Sequence, residues 1–72
     1  MKSDWFRTTR INWIMETIQI YGFINREHIV KKFGISTVQA SIDLREVRAK
    51  WPDHIEYDLS TKRYVYKANP HE

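Results

Sequence analysis

The sequence predicts an α+β domain, mainly helical, in which three helices are followed by a β-hairpin. Three observations predict it. Up to Trp51, apolar residues recur at helical spacing in three segments parted by short glycine-containing turns. After Pro52 the period drops to two, and the residues become β-branched and aromatic. The chain has 72 residues, too few for two ordinary domains. Residues 1–72 therefore form a single domain, with an ordered core over 4–67 and a C-terminal tail over 68–72.

The first helix is expected from Asp4 to Tyr21, with Ser3 as its cap. Ile11, Ile14, Met15 and Ile18 form its buried stripe. Gly22 follows it, as Gly34 follows the second helix, at positions where a left-handed backbone ends a helix at no steric cost to glycine. The second helix is expected from Arg26 to Phe33, capped by Asn25. Glu27 opens it and Lys31 and Lys32 close it, a charge order that complements the helix dipole. Ser36 and Gln39 form a capping box at the start of the third helix, Thr37 to Lys50. Ala40, Leu44, Val47 and Trp51 are its core stripe, and Pro52 stops it. Ile55–Asp58 and Arg63–Lys67 are the hairpin strands, joined by a turn over Leu59–Lys62. Phe23-Ile24 offers a very short third strand.

Composition narrows the functions. There is no cysteine, which removes disulfide frameworks, thiolate metal sites and cysteine nucleophiles. The longest strongly apolar run is Trp13-Ile14-Met15, far too short to span a membrane. His28, His54 and His71 share no metal-ligand spacing, and no glycine-rich phosphate loop exists. A domain this small leaves little room for a pocket. No catalytic residue, metal, cofactor or small-molecule ligand is expected. The net charge of +3 tilts the balance towards a polyanion, and its placement matters more than its sum. From Leu59 to His71 there are three cations, Lys62, Arg63 and Lys67, and no acid.

Two helices joined by a tight glycine turn, then a hairpin, make a winged helix-turn-helix. In that architecture the third helix enters the major groove of DNA, and the hairpin wing lies along the backbone or in the minor groove. With Ala40, Leu44 and Val47 inward, the base-facing candidates are Thr37, Val38, Gln39, Ser41, Ile42 and Arg45. Glutamine can pair with adenine, and an exposed isoleucine suits a thymine methyl. Ile42 could equally belong to a wider core stripe. Backbone and wing candidates are Asn25, Arg26, Ser36, Arg48, Ser60, Thr61, Lys62 and Arg63, with Lys31 and Lys32 as further cations. Free amides at the start of the second helix favour a phosphate near Asn25 and Arg26. Alternatively the wing cations pair across the hairpin with Glu56 and Asp58.

Gly22-Phe23-Ile24-Asn25-Arg26, Phe33-Gly34-Ile35-Ser36 and Gln39-Ala40-Ser41-Ile42-Asp43-Leu44, followed by Pro52, Tyr57-Asp58 and Lys62-Arg63-Tyr64-Val65, carry a family resemblance. The chain resembles the DeoR-like winged-helix domain at the N-terminus of WYL-domain bacterial regulators, in the subgroup associated with phage defence. The similarity covers roughly residues 10–67. It implies a dimeric transcription regulator, a repressor or autoregulator, on a palindromic double-stranded operator, in the cytoplasm of a bacterium or phage-infected host. It also implies that Ser36, Gln39 and Ser41 face DNA, with Asn25, Arg26 and Lys62 beside them. Asp43 matches the family and reads as structural. The chain lacks a WYL domain, so it is expected to be either a cut domain or a minimal regulator, and ligand control does not transfer.

Trp5, Phe6, Trp13 and Ile20 do not fit the buried stripe of the first helix. They form surplus apolar surface suited to a dimer or partner contact, or else Trp5 and Phe6 fold back as a lid on the core. A competing function follows, a winged-helix protein-interaction module that docks through this aromatic surface. It would be favoured if Asp43 and Glu46 engaged the arginines of the third helix.

Overall fold

A computed structural model describes residues 2–67, with side chains from Trp5 onward. Three helices, α1 (Lys2–Tyr21), α2 (Arg26–Phe33) and α3 (Thr37–Lys50), pack beside a small sheet of β1 (Phe23–Ile24), β2 (Ile55–Asp58) and β3 (Arg63–Tyr66). The core is one cluster. Ile11, Ile14, Met15 and Ile18 of α1 meet Ile24, Ile29, Ala40, Leu44, Val47 and Ile55. The stripes expected on α1 and α3 are the buried ones. Trp51 and Tyr66 border the cluster, half-buried.

Local chemistry sets the boundaries. Gly22 and Gly34 take left-handed φ values of 88° and 65°. Their amides close the helices by donating to Ile18 O at 2.7 Å and Val30 O at 2.8 Å. Pro52 follows Trp51, whose carbonyl accepts from His54 N at 3.1 Å and turns the chain into β2. Three expectations shift. The helix already includes Lys2, so Ser3 lies within α1 and is not its cap. Strand β3 ends at Tyr66, one residue short of the expected Lys67, whose amide still donates to His54 O at 2.7 Å in the register of the hairpin. The reciprocal capping box sits on α2 rather than α3: Asn25 accepts from His28 N, and His28 Nδ1 accepts from Asn25 N. At α3 only half a box forms. Ser36 Oγ accepts from Gln39 N at 3.0 Å, but the Gln39 amide is used elsewhere.

The third strand is real. Phe23 pairs with Val65 and Ile24 with Tyr64, giving the antiparallel order β1-β3-β2. Tyr66 N also donates to Gly22 O at 3.0 Å, so the wing is tied to the end of α1. The tail expected over 68–72, with Pro70 and His71, lies outside the described residues.

Candidate nucleic-acid interface

A buried ion pair ties α3 to α1. Asp43 is fully enclosed, and Arg10 of α1 grips its carboxylate from Nε at 2.6 Å and Nη2 at 3.2 Å. Gln39 Nε2 adds a third donor at 2.9 Å. One turn further on, Glu46 accepts from Arg7 Nε at 2.7 Å. Both carboxylates of α3 are thus turned towards α1. Arg45 and Arg48 are exposed and have no ion-pair partner among the described residues.

A concavity of about 370 Å³ opens between the start of α2, the flank of α3 and the wing. Asn25, Arg26, Glu27, Ser41, Leu44, Tyr57, Lys62 and Tyr64 line it, two cations and one acid. Arg26 Nη1 donates to Ser41 Oγ at 3.1 Å, so two expected site residues meet there. Lys62 closes the rim on a strained turn. Its φ is 58°, a left-handed value for a side-chain-bearing residue. The turn is held by Asp58, whose carbonyl accepts from Lys62 N at 2.7 Å. Asp58 Oδ1 accepts from Ser60 N at 3.0 Å and Ser60 Oγ at 2.8 Å. The Ser60 and Thr61 hydroxyls hold the Asp58 carboxyl below the usual carboxylate range.

The expected residues divide. Thr37, Val38, Ile42 and Arg45 are exposed on α3, Ile42 included, so it lies outside the core stripe. Ser36 and Arg48 at α3 and Ser60, Thr61 and Lys62 on the wing turn are exposed too, and Asn25 spends its side chain on the α2 cap. Gln39 departs from expectation. Its amide lies back against buried Asp43, so it is not held out as a free adenine reader. Arg63 also departs. It does not reach out from the wing, and it pairs with no acid among the described residues. Its guanidinium lies 4.2 Å from the centroid of the Phe23 ring, and its Nε is buried without a hydrogen-bond partner. The pleat explains this, because Arg63 is diagonal to Phe23 on the same sheet face. Lys67, by contrast, reaches Glu56 at 3.8 Å.

The first helix is corrected too. Trp13 is half-buried and packs edge-on against Phe33, with ring centroids 5.4 Å apart. It leaves the surplus surface because it faces α2. Trp5 and Phe6 meet edge-to-face with ring centroids 5.0 Å apart and stay 65% and 61% exposed, so they form no lid. Ile20 is exposed as well, but about 21 Å further along the helix than Phe6. Lys31 and Lys32 are exposed and do not line the concavity beside α3. With Trp13, Tyr21, Phe23 and His28 they line a separate open groove of about 520 Å³, larger than a chain this small was expected to hold. Among the described residues, no three His, Asp or Glu side chains are grouped to hold a metal. Among the described residues, no helix is long and apolar enough to cross a membrane.

The model of the BrxR transcriptional regulator winged helix-turn-helix domain matches residues 7–70. The chain belongs to that family. The chain is 40% identical over 60 residues to the DNA-binding transcriptional repressor CapW of Escherichia coli (strain KTE188), a match covering 83% of this chain and 20% of the relative. A CapW repressor of Stenotrophomonas maltophilia is 36% identical over 69 residues, covering 96% of this chain and 22% of that one. A third, from Pseudomonas aeruginosa, is 36% identical over 64 residues, covering 89% and 21%. The chain therefore spans about a fifth of the length of the relatives it matches. The winged-helix membership anticipated from Gly22–Arg26, Phe33–Ser36 and Gln39–Leu44 is the one found.

Within this BrxR-type winged helix, sequence reasoning missed Arg7 and Arg10 as the residues that tie α1 to α3. Their spacing of three on one helix face was a signal, although nothing in it named their partners. It also missed Tyr57, which pairs with Tyr64 at 4.9 Å in the groove wall, and exposed Ala49.

Proposed function

We propose that this domain is the double-stranded-DNA-reading head of a transcriptional repressor and has no enzymatic role. In this reading α3 lies in the major groove and the β2–β3 wing lies on the backbone or in the minor groove. The supporting observation is the charge on α3. Asp43 and Glu46 are consumed by Arg10 and Arg7, which leaves Arg45 and Arg48 outward and unpaired among the described residues. That is the reverse of the arrangement that would favour a protein-docking module. Arg26 and Lys62 add cations on either side of the concavity beside α3, where a backbone phosphate would meet them. The relatives' names as DNA-binding repressors support the same partner. We infer further that two copies read a palindrome, with recognition helices about 34 Å apart. Trp5 and Phe6 at the start of α1 would supply the pairing surface. Such a regulator works in the bacterial cytoplasm, where its operator lies.

Selection from a random duplex pool tests this. A preferred sequence is expected, with log affinity falling linearly in log salt by about 0.9 per phosphate contacted. Arg45→Ala should relax preference at one position, costing about 1–3 kcal/mol there. Lys62→Ala should weaken all duplexes alike and lower the salt slope by about one. Equal binding to every duplex at all salt concentrations would refute the proposal.

A further inference from the structure

The outermost line of α3 is mostly apolar. With about 3.6 residues per turn, Ala40, Asp43, Leu44 and Val47 mark the buried face. Val38, Ile42, Arg45 and Ala49 fall on the line opposite. All four are exposed, Val38 at 70% and Ile42 at 40%. The polar candidates stand to the sides. Gln39 is turned back onto Asp43, and Ser41 accepts from Arg26 on the groove flank. What projects furthest is three apolar side chains and one guanidinium.

Base edges in the major groove offer one apolar feature, the thymine methyl group. We infer that α3 reads thymine methyls in its operator, Val38 and Ile42 each covering one, beside a hydrogen-bonded contact from Arg45 to guanine. This rests on the DNA-binding reading above. Val38 and Ile42 are one turn apart, about 6 Å along the axis, or roughly two base-pair steps of 3.4 Å. The contacted thymines therefore lie about two steps from each other. No carboxylate sits on this line, so nothing on it accepts from a cytosine amine. Gln39 is not the adenine reader that its position in the sequence suggested.

Replacing thymine by uracil removes the methyl and nothing else. The test takes the duplex that the 72-residue chain selects from a random pool and replaces its thymines with uracil one at a time. Uracil at two positions of the site is expected to weaken binding about fourfold each, the value of one buried methyl. In Val38→Ala and in Ile42→Ala, one of these two penalties should vanish while the other persists. Unfolding temperatures should stay at the parental value, because both side chains are exposed. Uracil tolerated everywhere within twofold, or penalties unchanged in both variants, would overturn methyl reading while leaving DNA binding intact. No preferred duplex at all would overturn both. Capture of a protein partner by the Val38–Ile42 strip, with uracil neutral, would assign the strip to docking instead.

Discussion

Breaking the Arg10–Asp43 pair should cost this domain more than any surface change. Arg10→Leu leaves the Asp43 carboxylate fully enclosed, with the Gln39 amide as its remaining donor. A buried charge stripped of its partner costs about 3–5 kcal/mol. For 72 residues the whole stability is about 4–11 kcal/mol, at roughly 0.05–0.15 kcal/mol per residue. The single change therefore removes at least about a quarter of the stability. Asp43→Leu should cost less, about 1–3 kcal/mol. The guanidinium it strands is already 14% exposed and can turn to water. The double variant removes both charges, so it should be far milder than the sum of the singles, giving a coupling above about 2 kcal/mol. Urea unfolding of all four proteins, followed by far-UV circular dichroism, measures this. Two results would refute the reasoning: additive singles, with coupling under about 0.5 kcal/mol, or Asp43→Leu costing more than Arg10→Leu.

Other consequences concern single elements. Gly34→Ala meets no atom within 4 Å of its new Cβ, so its cost is that of φ = 65° alone, about 1–2 kcal/mol. Thermal unfolding should show a lower midpoint, with Gly34→Asn milder because asparagine tolerates the left-handed region. Asn25→Ala removes the acceptor for His28 N and should cost about 0.5–2 kcal/mol. Amide exchange should rise first in the opening turn of α2. Hydroxyl donors keep Asp58 below the usual carboxylate range, so its stabilisation of the wing turn is full above about pH 4. It is lost as pH falls through the folded-state value. The amide signals of Ser60 and Lys62 should shift together in that acid range, and Asp58→Asn should abolish the transition.

Nearly every element was legible because its signals are local. Ile11, Ile14, Met15 and Ile18 announce a buried helix face by spacing alone, and Gly22 and Gly34 end helices through their own backbone freedom. The candidate site was legible only as a face. Thr37, Val38, Ile42 and Arg45 are exposed as the α3 stripe required. What their polar neighbours do was not readable. Gln39 followed the capping-box pattern, yet a carboxylate one turn away took its amide. Arg63 looked like a wing cation, yet Phe23 on the neighbouring strand drew it in.

The sequence by itself determined three helices, two terminating glycines, a hairpin and which stripes are buried, because periodicity and capping act over a few residues. It also determined the family, through motifs spread along most of the chain. Only the tertiary structure decided that Asp43 is a buried anchor for Arg10, 33 residues away. It also decided that Trp13 closes on Phe33 and that the charges of α3 are sorted, with acids inward and arginines outward. The physical reason is common to all of these. A helix fixes which residues share a face, but the partner of a polar or aromatic group on that face depends on how the helices cross. That crossing is set by the whole core at once.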